Sequence, residues 1–260
     1  MKETLRRLIM KYWPAACGVA LLWVSCVVAK DLISPAQAKK AAAPAQVAAP
    51  DDPKLPRVLL LGDAVSIGYT LPLRLQLKGK FNVHRPAANC GSTRGGLRDL
   101  DTWLGKEKWD VIHFNFGLHD MAFLWPDGKN LNAEGIFATR ENGGKQNVPL
   151  AEYEKNLRTL VARLKRTSAH LIWASTTPVP GGVRSYTEGE ELPYNEAAAR
   201  VMKDEGVQVD DLWGFASRQL DKIQTTNSIH FTPQGYRVLA WHIGQSIESA
   251  QVAKPGKTQP

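Results

Sequence analysis

Five short apolar runs, each ending at a turn and alternating with stretches of helical periodicity, constrain this chain more than any other feature. Arg57–Leu61 runs into Gly62, Asp110–Phe116 into Gly117, and Ala169–Ala174 into Thr-Thr-Pro, while Phe81–His84 and Val207–Leu212 complete the set. Their apolar residues are nearly continuous, the pattern of strands covered on both faces, as in a parallel sheet. Between and after them, Val65–Leu77, Leu97–Leu104, Leu150–Arg166 and Tyr194–Glu205 read as helices. Pro233 opens a last helix, packed through Val238, Leu239, Trp241, Ile243 and Ile247. Leu150–Arg166 is the clearest, because Tyr153, Leu157, Leu160, Val161 and Leu164 recur at spacings that share one face. Gly68 and Pro72 are expected to disturb the start of the first helix. This alternation predicts an α/β chain: a three-layer αβα sandwich around a five-stranded parallel sheet. In such folds ligands bind beyond the carboxyl ends of the strands, where the connecting loops gather.

The predicted domain spans residues 56–250. Ahead of it, a basic segment ending at Lys11 precedes Trp13–Ala29, apolar apart from Ser25 and broken only by Pro14 and Gly18. Ala36-Gln37-Ala38 then offers a small-residue cleavage site before Lys39. This predicts export, with residues 1–38 as a signal peptide; an uncleaved N-terminal anchor, and so membrane attachment through this segment, is the alternative. Trp23-Val24-Ser25-Cys26 fits a lipoprotein signal poorly, since tryptophan stands where leucine is usual. Residues 39–55, rich in Ala, Pro and charge, read as a tether, and residues 251–260 as a disordered tail. Of the formal charge of +8, residues 1–38 carry +3. The remainder is scattered, without a basic stripe interleaved with aromatics, so no nucleic-acid partner is expected. Cys90 is alone after the apolar segment, which predicts a buried, inert thiol and no intramolecular disulfide. No His or carboxylate cluster has metal-ligand spacing, so neither a metal nor another cofactor is predicted, and the expected state is a monomer.

Four segments place polar groups at strand ends. Gly62-Asp63-Ala64 follows the first strand, Asn89-Cys90-Gly91 precedes the second helix, Gly117-Leu118-His119-Asp120 follows the third strand, and Asn227-Ser228-Ile229-His230 leads into the last helix. Singly each is weak, because glycine clusters mostly mark turns. In this combination and order, the chain resembles the SGNH (GDSL) hydrolases over residues 56–248. Gly62-Asp63-Ala64 stands where that family has Gly-Asp-Ser, Gly91 matches its second-block glycine, Gly117-Leu118-His119-Asp120 its Gly-x-Asn-Asp, and Asn227 to His230 its Asp-x-x-His. The resemblance implies a flavodoxin-like fold and hydrolysis of acyl esters. It makes Asp63, Ala64, Asn227 and His230 the catalytic positions, with His230 as base. The oxyanion donors it implies are the amides of residue 64 and Gly91, aided by His119 or Asn89.

Three positions depart from that pattern. Ala64 occupies the nucleophile position, and a methyl group cannot attack a carbonyl. Asn227 replaces the carboxylate that orients the histidine, so an aspartate there is expected to raise the rate; Asp210 or Asp211 is a candidate substitute. His119 replaces an asparagine, but an imidazole N–H also donates to an oxyanion. Ser66 lies two residues past Ala64, about 200° around a helix, so its expected role is hydrogen bonding near the helix start rather than attack. Ala64 is either a deliberate replacement that traps substrate or a natural loss in a protein that still binds. Two functions follow. One is an exported esterase acting on a small-molecule or carbohydrate ester, such as an O-acetylated sugar, and inactive or nearly so with Ala64. The other is a non-catalytic binder of glycans or acyl ligands. Met121–Pro149 is too long for an ordinary connection and reads as a lid or a surface insertion. Trp125, Arg140, Tyr186 and Trp213 are the candidates for sugar contact.

Overall fold

The computed structural model describes residues 44–250. The expected signal or anchor, the start of the tether and the C-terminal tail lie outside the described residues. In chain order, β1 (Arg57–Leu61) leads to α1 (Ala64–Gln76), β2 (Asn82–His84) to α2 (Thr93–Leu104), and β3 (Val111–Phe114) to the short α3 (Leu118–Met121). A hairpin of β4 (Phe123–Leu124) and β5 (Lys145–Gln146) precedes α4 (Leu150–Lys165). Next come β6 (His170–Ala174), α5 (Glu191–Glu205), β7 (Gln208–Asp210), α6 (Leu212–Ser217), α7 (Leu220–Ile223) and α8 (Pro233–Ser249).

Five strands form one parallel sheet in the order β2-β1-β3-β6-β7. Helix α1 packs against α8, and α4 packs against both α2 and α5, giving the expected three-layer, flavodoxin-like arrangement. The central strands need no polar alternation because both faces are covered: Val58–Leu61, Val111, Ile112, Phe114 and Leu171–Ala174 are all buried. Each such Val, Leu or Ile contributes roughly 1.5–3 kcal/mol of apolar burial.

Several boundaries differ from expectation for local reasons. Helix α1 begins one residue early, capped by Asp63, whose Oδ1 accepts the Val65 N–H at 2.9 Å. It continues through Gly68 and Pro72, held by the burial of Tyr69 and Leu73. Strand β7 stops at Asp210, because Asp211 accepts the Gly214 N–H at 3.0 Å and caps α6. Part of the expected tether belongs to the domain: Ala45 is buried, Asp51 pairs with Arg57 and His84, and Asp52 exchanges hydrogen bonds with Asn82. The long stretch before α4 is also folded, carrying the hairpin and docking through Phe123 N–H to Ser185 O and Val148 N–H to Asp120 O.

One polar cluster lies inside. Asp210 Oδ2 is 3.0 Å from His113 Nε2 of β3, and its Oδ1 is 2.8 Å from His242 Nε2 of α8, close but not aligned for a hydrogen bond. Both Asp210 and His113 are buried. Burial alone would raise the Asp210 pKa, but the two histidines outweigh it and hold the carboxyl at about 2.

Candidate active site

Strand β1 lies between β2 and β3, so the loops leaving β1 and β3 diverge at the point where the strand order reverses and leave a crevice at their carboxyl ends. Gly62 and Asp63 turn the chain from β1 into α1 and make Ala64 the first helical residue. Its amide therefore has no carbonyl one turn back to bond. The half-buried Ala64 is braced by a residue that carries no motif signal, Arg85. The Arg85 guanidinium is buried and donates to Ser66 Oγ (2.8 Å), Thr70 Oγ1 (3.3 Å), Gly62 O (3.2 Å) and Ala88 O (3.2 Å), all of them neutral acceptors. Ser66 is 2% exposed, and its hydroxyl donates to Asp63 O at 2.8 Å while accepting from Arg85. It makes hydrogen bonds near the helix start, the role expected of it. Asp63 serves as the helix cap.

The second segment is tied to this turn on one side and to the segment after β3 on the other. Cys90 N–H donates to Gly62 O at 3.2 Å. Three residues on, Thr93 donates to Asp120 Oδ1 through its N–H (2.9 Å) and its hydroxyl (2.5 Å). Burial pushes the Asp120 carboxyl up to about 7 against those hydrogen bonds. Burial likewise pushes the Cys90 thiol up to about 11, which leaves it protonated and inert. Gly91 has φ +63°, the left-handed region that favours glycine. Its amide is not free, because it donates to Asn89 Oδ1 at 3.0 Å. Both residues were expected as oxyanion donors; in this conformation the Gly91 amide is taken by the Asn89 carbonyl oxygen, while the Asn89 Nδ2 donor is not used by that contact. An oxyanion that takes the Gly91 amide has to displace that contact. The half-buried His119 carries an imidazole with no hydrogen bond among the described residues, and Asn147 holds its backbone carbonyl at 2.8 Å.

His230 is exposed, and its Nδ1 lies 3.3 Å from Tyr236 Oη. The Tyr236 ring sits against Gly68, one helical turn past Ala64, so closely that a β-carbon at Gly68 would be 2.2 Å from it. Through this contact His230 reaches α1. The expected partners of His230 are elsewhere. Asn227, at φ +51°, turns its side chain toward Gly182, Asp210 is buried between His113 and His242, and Asp211 caps α6. Sequence reasoning missed Arg85 and Tyr236, since neither belongs to a motif and both act through packing across the fold.

Of the four candidates for sugar contact, two line pockets: Trp213 one of about 350 Å³ with Trp173, Leu192 and Asp211, and Trp125 one beside the Gly91 and His119 segments. That pocket of about 310 Å³ is bounded by Trp125, Arg94, Lys145, Gln146 and Asn147. Asn147 binds His119, and Arg94 follows the Gly91 loop while pairing with Glu152. Arg140 is spent on Glu190, Trp213 donates to Glu191 across the fold, and Tyr186 packs on the core.

The sequence pattern of the GDSL-like lipase/acylhydrolase family matches residues 64–238. Curated protein sequences give no match. Among solved structures, the chain is similar to a lipase/acylhydrolase from Enterococcus faecalis at 17% identity and TM-score 0.60, covering 78% of this chain and 100% of that one. It is also similar to Axe2, an acetylxylan esterase from Geobacillus stearothermophilus, at 15% identity and TM-score 0.57, covering 76% of this chain and 96% of that one. A third similar structure is LAE5, an α/β hydrolase from the metagenome of Lake Arreo, at 17% identity and TM-score 0.57, covering 74% and 95%.

Proposed function

Because the chain belongs to the GDSL-like lipase/acylhydrolase family, we propose that it is an exported protein with a serine-esterase site for acylated carbohydrate, and that Ala64 leaves it binding its ligand with little or no turnover. One observation carries this reading. At the head of α1, where ester cleavage by this route needs a hydroxyl, the chain has a methyl group, and the hydroxyl two residues on is buried and bonded at both ends. His230, His119 and the residue 64 amide still supply a base and oxyanion donors. Acetyl on sugar is the favoured ligand because Trp125 lines a pocket beside His119, and because similar structures include acetylxylan esterases. Export rests on the basic and apolar N-terminal pattern, and the mature chain is expected to begin at Lys39.

The test is to titrate acetylated xylo-oligosaccharides into the full domain by calorimetry while assaying released acetate. Binding with negligible acetate release is expected. Trp125→Ala should weaken binding about tenfold, the cost of losing one aromatic contact of ~1–2 kcal/mol. Rapid acetate release that disappears with His230→Ala would replace the binding role with catalysis by an activated water. Absence of both binding and release would reject carbohydrate as the ligand.

A further inference from the structure

The esterase-type site described above needs its base oriented, and no carboxylate does this among the described residues. Asn227 faces Gly182, while Asp210 and Asp211 are committed to the two histidines and to the α6 cap. The His230 ring contacts one polar side chain instead, the Tyr236 hydroxyl at 3.3 Å. We propose that Tyr236 is the positioning residue for His230, standing where a triad would have a carboxylate and accepting the Nδ1–H so that the Nε2 lone pair serves as base. The proposal rests on the esterase reading only for its catalytic consequence.

Three features of the fold support a fixed phenol. Gly68 removes the β-carbon that would strike the Tyr236 ring, so α1 and α8 clamp the tyrosine at the one point where α1 has no side chain. The ring also packs edge-on against Phe231 at 5.9 Å, and Phe231 directly follows His230. Thr232 caps α8 by accepting the Gly235 N–H at 2.9 Å, which sets the turn between the histidine and the tyrosine. A phenol differs from a carboxylate in one respect that matters. It can accept the Nδ1–H and so select a tautomer, but it brings no negative charge to stabilise the imidazolium formed during attack. Burial keeps the Tyr236 hydroxyl above the usual tyrosine range, so it remains neutral.

The test is long-range ¹H–¹⁵N NMR of the His230 imidazole in the full domain, with and without Tyr236→Phe. This substitution keeps the ring packing and removes only the hydroxyl. The Nδ1–H tautomer is expected to be enriched in the parent, with a shift toward the Nε2–H form in Tyr236→Phe. In an Ala64→Ser background, the same change should lower kcat about three- to tenfold with KM unchanged, the size of one neutral hydrogen bond. Asn227→Asp should give no gain there, contrary to what the motif alone implies. An unchanged tautomer ratio in Tyr236→Phe, or a large gain from Asn227→Asp, would overturn the proposal. If Ala64→Ser is inert, the esterase reading fails while the tautomer measurement still decides the role of Tyr236.

Discussion

Ala64→Ser is expected to raise hydrolysis of p-nitrophenyl acetate by about 10²-fold over the parent chain, and His230→Ala in that background should remove most of the gain. The magnitude follows from what the site has and lacks. Nucleophile and base acting together with a carboxylate contribute on the order of 10⁶ in kcat, and loss of the carboxylate alone costs about 10⁴, so a serine–histidine pair without it retains ~10². Two features favour the gain: residue 64 heads α1, where its amide has no carbonyl one turn back, and His230 reaches α1 through Tyr236 and Gly68. The contact between Asn89 Oδ1 and the Gly91 amide works against it, because an oxyanion must break that bond to use this one donor. Steady-state rates of the parent, Ala64→Ser, and Ala64→Ser with His230→Ala measure all of this together. A gain independent of His230 would reassign the base. A parent rate already equal to that of Ala64→Ser would show that residue 64 is not the reacting position.

The largest expected effect on stability is at Asp210. Asp210→Ala removes a buried carboxylate from between His113 and His242, and breaking a buried pair from one side costs ~3–5 kcal/mol. For a domain of this size, that lowers Tm by roughly 10 °C. The acid limb of the stability curve should change as well. The Asp210 carboxyl sits at about 2 when folded, below its ordinary value of 3.8, so the folded state binds fewer protons than the unfolded one between those values. Its contribution, roughly 2 kcal/mol, is therefore complete above pH 4 and disappears as pH falls through about 2. Urea unfolding between pH 5 and pH 2 should show this loss in the parent and not in Asp210→Ala. A variant as stable as the parent at pH 7 would mean that the histidines find other partners.

The sheet was legible in the sequence because strands covered on both faces cannot carry a polar period, and Arg57–Leu61 has the same boundaries in both readings. Edges read less well where a single side-chain bond decides them. Asp211 turns the expected end of β7 into the start of α6, and Thr93, pinned to Asp120, extends α2 four residues toward its N-terminus. The hairpin before α4 was hidden because its strands are two residues long and are held by backbone bonds to Ser185 and Asp120, far away in sequence. At the site, motif spacing does not fix which side chains meet. Asn227 occupies a motif position, yet its left-handed backbone carries the side chain away from His230. The residue that holds the imidazole lies six positions on, along α8, and only the packing of that helix on α1 makes it a neighbour.

The turn that presents residue 64 is built without that residue's side chain. Asp63 caps the helix, Arg85 grips Gly62 and Ser66, and Cys90 N–H binds Gly62. A change of alanine to serine there adds one oxygen to a half-buried position whose side chain makes none of these hydrogen bonds. Every alanine codon is a single base away from a serine codon. In a lineage with this scaffold, this position can therefore pass between alanine and serine in one mutational step without touching the hydrogen bonds that build the turn.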